Sequence, residues 1–107
     1  MSRDRRVAER YPAILVAEVA EIPLGATRSG RTSDISETGC YVDSLHPVPI
    51  GTRIRLKLTR GSETFETTAT VVYSPTQGMG IRFDDSIPAG QLLVLQKWID
   101  SFKQQVA

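Results

Sequence analysis

Between Arg53 and Leu58 the chain reads Arg-Ile-Arg-Leu-Lys-Leu, polar and apolar residues alternating without a break. Period two is the mark of a strand with one wet and one buried face, so Ile54, Leu56 and Leu58 are expected to face a core. Arg60-Gly61-Ser62 then reads as a hairpin turn. The run that follows, from about Glu63 to Tyr73, puts Phe65, Ala69, Val71 and Tyr73 on one face. A second turn near residues 74–78 leads to a strand whose Met79, Ile81 and Phe83 share a face while Arg82 points away. Because a slip of one residue would turn every side chain over, such patterning fixes register as well as strand identity.

The first half of the chain adds three strands. Pro12 leads into Ala13–Ala20, where apolar residues are so continuous that the inward parity stays open. Further strands are expected at about Arg28–Ile35 and Gly39–Val42, followed by the proline-punctuated loop around His46. Six strands with short connections in under 90 residues predict an all-β fold, a six-stranded antiparallel β-barrel, since closure removes exposed edges. The tail changes period. Leu92, Leu95, Ile99, Phe102 and Val106 recur every three or four residues, giving a C-terminal amphipathic helix over about Gln91–Gln105 with Trp98 broadening its apolar face. Pro88 suits the helix start. Such a helix caps its own barrel or packs on a second copy, so the chain is expected to be a monomer or a weak homodimer.

Two polar segments are not explained by the barrel alone. Asp34-Ile35-Ser36-Glu37-Thr38-Gly39 is turn chemistry, with Asp and Ser bonding nearby backbone or ligand, and Gly39 expected to supply a backbone at φ > 0. A carboxylate and a hydroxyl two residues apart would form an acceptor-rich patch suited to the N–H donors of guanine's Watson–Crick edge. The other segment is Arg5-Arg6-Val7-Ala8-Glu9-Arg10, an R-x-x-x-R pattern preceded by a further arginine. Arginine forks fit phosphate oxygens and the O6/N7 edge of guanine. Arg6 and Arg10 lie ~13 Å apart in extended chain and ~6 Å apart in a helical turn, so both can converge on one compact anion. Net charge is only +1 over 107 residues, yet residues 1–10 hold +2 and the remainder −1. That concentration suits a small dianion better than a nucleic-acid backbone.

Together the two segments resemble the PilZ domain, the bacterial receptor module for cyclic di-GMP. Its R-x-x-x-R motif falls on Arg6 and Arg10, with Arg5 in the preceding position, and its D/N-x-S-x-x-G motif on Asp34, Ser36 and Gly39. Gly78-Met79-Gly80-Ile81-Arg82-Phe83 is a weaker third echo. The resemblance runs from Arg5 to the C-terminal helix. It implies that Asp34 and Ser36 contact a guanine while Arg5, Arg6 and Arg10 hold phosphates and the guanine's other edge. Gly39 would permit the bend, and Arg5 favours a stacked pair of nucleotides. Residues 1–11 would be a flexible arm and residues 12–107 the barrel with its helix, a single domain. Ligand occupancy would order the arm and change the surface seen by an unidentified effector protein.

The rest of the sequence offers no chemistry of its own. His46 has no partner at metal-ligand spacing, and Cys40 reads as a small core residue rather than a nucleophile. No phosphate-loop glycine pattern is present. Neither enzymatic activity, a metal nor a cofactor is expected. The absence of an apolar run of about 20 residues argues against membrane insertion, and one cysteine fits the cytoplasm. Two rival readings remain: a PilZ-fold adaptor that does not bind nucleotide, and a small barrel for single-stranded nucleic acid. The second needs aromatic stacking positions on a basic face, for which seven aromatics give little support.

Overall fold

The computed structural model describes residues 8–23 and 25–106. Strands β1 (Tyr11–Pro12), β2 (Val16–Glu21), β3 (Thr27–Ile35), β4 (Gly39–Asp43), β5 (Arg53–Arg60), β6 (Glu63–Tyr73) and β7 (Gly78–Phe83) precede a single helix, α1 (Ala89–Val106). The sheet order is β1-β3-β2-β5-β6-β7-β4, and β4 also pairs with β3, so β2–β7 close into a six-stranded antiparallel barrel. The two-residue β1 is an addition on β3. Alternation places Ile54, Leu56, Leu58, Phe65, Ala69, Val71, Met79, Ile81 and Phe83 in the barrel interior, as expected from their strands. The β5–β6 hairpin turns through Gly61 at φ 61°, between the paired residues Arg60 and Glu63. Positive φ at the first of two turn residues is the conformation that glycine tolerates best.

The strand expected over Ala13–Ala20 starts only at Val16, and residues 13–15 form a bulge that joins it to β1. Pairing shifts from Pro12↔Asp34 to Val16↔Arg31, leaving one extra residue on the β1–β2 side. The buried Thr32 hydroxyl fills the break, accepting from the Leu15 amide (2.9 Å) and donating to the Ala13 carbonyl (2.6 Å). Odd-numbered residues face inward throughout, from Tyr11 to Val19. Tyr11, expected in the arm, is therefore a core residue paired with Ile35.

Another departure is Tyr73, which is 59% exposed rather than aligned with Val71. Pairing jumps from Val71↔Ile81 to Tyr73↔Gly80, and the bulge at Val72 turns the tyrosine out. The helix packs on its own barrel: Leu95, Trp98, Ile99 and Phe102 are buried, with Trp98 tilted against Phe65. Leu92, placed on that face by its spacing, lies at its margin and is 37% exposed. Glu63 on β6 ties the helix down by accepting from Trp98 Nε1 (3.0 Å) and Lys97 Nζ (2.6 Å). The bond from Lys97 first, and then that from Trp98, hold the Glu63 carboxyl below its usual pKa. No helix among the described residues is long and apolar enough to cross a membrane.

Candidate functional site

Strand β3 carries a bulge relative to β4, with pairing passing from Thr32↔Val42 to Asp34↔Tyr41. Ser33 is the extra residue, and it reverses the parity of the strand. Thr32 points inward, yet Ile35 is also buried, so Asp34 is left facing out. Re-aiming a side chain in this way is a common use of a bulge beside a functional site. Asp34 meets Arg10, which precedes β1. Its Oδ1 accepts from Arg10 Nε at 2.9 Å and from Nη2 at 2.6 Å. Both side chains stay partly open, 42% for Arg10 and 34% for Asp34. Two of the five guanidinium N–H donors are used in this pair, and both bonds fall on one carboxylate oxygen.

Ser36 takes a different place. It is fully buried, and its hydroxyl oxygen accepts from the amides of Thr38 (3.1 Å) and Gly39 (3.2 Å). Its own amide donates to the Gly39 carbonyl at 2.8 Å. Strand β3 ends at Ile35, so alternate spacing does not carry over to residue 36 and the two acceptors form no common patch. Gly39 also differs from expectation. Among the described residues only Gly51 and Gly61 have positive φ. Gly39 is required for space instead, since a Cβ there would lie 2.1 Å from the Ile81 carbonyl oxygen. Arg5 and Arg6, the remaining candidate residues, lie outside the described residues.

Two aromatic residues that the motifs do not mark complete the surface. Asp34 pairs with Tyr41, Tyr41 with Gly80, and Gly80 with Tyr73, forming one outward row across β3, β4, β7 and β6. Glycine at 78 and 80 lets the rings lie close to the sheet. A Cβ on Gly78 would sit 2.2 Å from the Tyr41 hydroxyl, and one on Gly80 would sit 3.0 Å from Tyr73 Cβ. Partial burial first, and then the nearby Asp43, Tyr73 and Asp34, push the Tyr41 phenol above its ordinary pKa, so it stays neutral. Arg10, Asp34, Tyr41, Val72, Tyr73 and Gly80 line a hollow of 280 Å³. Cys40 lies beneath it, fully buried, its thiol pushed up to about 12 by desolvation and thus unreactive. His46 is exposed on its loop. A larger depression of 1250 Å³ lies elsewhere and contains none of the described motif residues.

The PilZ domain family model matches residues 4–101. No curated protein matches the sequence significantly. Among solved structures, the PilZ domain of CeSA from a cellulose-synthesizing bacterium superposes with a TM-score of 0.75 at 17% identity, covering 90% of this chain and 99% of that one. The PilZ domain of YcgR from Escherichia coli, solved with c-di-GMP, gives 0.75 at 18% identity over 96% and 95% of the two chains. The Bacillus subtilis inhibitor of motility MotI gives 0.74 at 19% identity, with 97% of this chain matching 53% of that longer one. With a family match over nearly its whole length and the barrel those structures share, the chain belongs to the PilZ domain family.

Proposed function

We propose that this chain is a receptor for cyclic di-GMP and that the nucleotide sits across the outward row from Asp34 to Tyr73. The observation that carries this reading is the convergence of Arg10 and Asp34, 24 residues apart in sequence, at the rim of a tyrosine-bordered hollow. The hollow is near the lower end of the roughly 300–1,000 Å³ typical of small-molecule sites. It suits one flat base, leaving the remainder of a cyclic dinucleotide outside it. Asp34 serves as acceptor for guanine N–H groups, and Arg10 reaches the phosphate or the guanine O6/N7 edge. Tyr41 and Tyr73 offer ring faces to the base. Ser36 and Gly39 act by shaping the turn that presents Asp34. Arg5 and Arg6 close over the phosphates, and Arg5 favours a stacked pair of ligands. The resulting change in surface is what an effector protein reads.

Calorimetric titration with cyclic di-GMP tests this. Binding is expected at micromolar Kd or tighter, about 8 kcal/mol or more. Arg10→Ala and Asp34→Ala should each weaken it at least tenfold, about 1.4 kcal/mol. Cyclic di-AMP, whose edge lacks the guanine donors, should bind far more weakly. Absence of binding in the unaltered protein would replace this reading with that of an adaptor.

A further inference from the structure

A second surface lies apart from the Arg10–Asp34 pair. On the outer wall, Ile14 sits within the β1–β2 bulge and is 76% exposed, with Val16 at the next outward position 53% exposed. Val16 faces Arg31 across the β2–β3 ladder, and Arg31 faces Asp43 across the β3–β4 ladder. Two residues beyond Asp43, where β4 has ended, Leu45 is 79% exposed. Ile14, Arg31, Asp43 and Leu45 all border the 1250 Å³ depression. Read across the wall, the surface runs apolar, cation, anion, apolar.

The two charges are register partners and both are exposed, yet no ion pair joins them. Two large aliphatic side chains at this exposure gain little from folding. The order of groups is the same when read in reverse with charges exchanged, which is the condition for an isologous contact. We propose that this wall is a self-association surface, on which a second copy docks about a two-fold axis passing between Arg31 and Asp43. The axis brings Ile14 and Val16 over the partner's Leu45, and Arg31 onto the partner's Asp43. The depression receives the bulge that carries the partner's Ile14. Neither Arg10 nor Asp34 belongs to the contact, so the inference does not depend on nucleotide binding.

Sedimentation velocity on the full chain over a concentration series tests it. The unaltered protein is expected to show a monomer–dimer equilibrium, and Ile14→Asp and Leu45→Asp should each weaken it about tenfold or more. Arg31→Asp and Asp43→Arg should each abolish self-association, while an equimolar mixture of the two variants should form a heterodimer. Thermal unfolding verifies that each variant is folded. A protein that stays monomeric at every concentration overturns the proposal. So does a dimer indifferent to Ile14→Asp, or a charge-reversed pair of variants that fails to associate when mixed.

Discussion

Replacing Thr32 by Val tests the joint between β1 and β2, on which the placement of Tyr11 and Arg10 depends. The side chain is 1% exposed, and its hydroxyl serves both the Leu15 amide and the Ala13 carbonyl. Valine has a similar shape and is at least as favourable in a strand, so neither a large cavity nor propensity confuses the comparison. What is lost is the partner of two backbone groups. Each costs about 1–3 kcal/mol when left unsatisfied in a buried place. Relaxation of the bulge recovers part of this, so the net expectation is about 2–4 kcal/mol. For a domain of this size that lowers Tm by on the order of 10 °C or more. Thr32→Ser keeps the hydroxyl and loses one methyl, at about 1 kcal/mol. Urea unfolding of both variants at constant m gives the two values. If Thr32→Val is as stable as Thr32→Ser, the hydroxyl does not hold the bulge and the reasoning fails.

Other consequences can be checked alongside. Gly39→Ala forces a Cβ toward the Ile81 carbonyl and should cost about 1–3 kcal/mol in chemical denaturation; an unchanged midpoint would show that β4 and β7 can part freely. Asp84 accepts from Arg53 at 2.6 and 2.8 Å and from Thr68, and these bonds hold its carboxyl at about 2. A depressed pKa stabilises the fold above the ordinary carboxylate range and loses that contribution as pH falls through the folded value. The Tm gap between the unaltered protein and Asp84→Asn should therefore close between about pH 4 and pH 2, reflecting a screened contribution of about 1 kcal/mol; a gap independent of pH refutes it. Hydrogen exchange should show amides of residues 5–10 gaining protection when cyclic di-GMP is added, with α1 changing less. Equal changes in both would move the signal to the helix.

Where one strand face is wet and the other buried, the sequence announces the fold. Arg53–Leu58 and Met79–Phe83 could be read residue by residue because each inward apolar side chain is flanked by polar or small neighbours. The run Ala13–Ala20 could not, since Ile14 and Val16 face solvent despite being apolar. Bulges account for most of the remaining differences. Nothing in Val71-Val72-Tyr73 marks the extra residue that turns Tyr73 outward, and nothing in Thr32-Ser33-Asp34 marks the one that turns Asp34 toward Arg10. Both depend on how the partner strand pairs. The turn motif marks residues 34, 36 and 39 alike, but their places separate only in three dimensions: a carboxylate on the surface, a buried hydroxyl closing the turn, and a glycine giving way to a neighbouring carbonyl. The motifs mark neither Tyr41 nor Tyr73, although the sequence holds a sign of how closely their rings lie to the sheet. Glycines at 78 and 80 share the outward parity of β7, a sign that something lies close against that strand.

The proposed place of cyclic di-GMP is across the row Asp34–Tyr41–Gly80–Tyr73, beside Arg10. Nitrogen–proton correlation spectra recorded during titration test it residue by residue. The largest shifts are expected at Arg10, Asp34, Tyr41, Tyr73 and Gly80, with small ones at Arg31, Asp43 and Leu45. Largest shifts around Arg31, Asp43 and Leu45, or none on saturation with nucleotide, would contradict it.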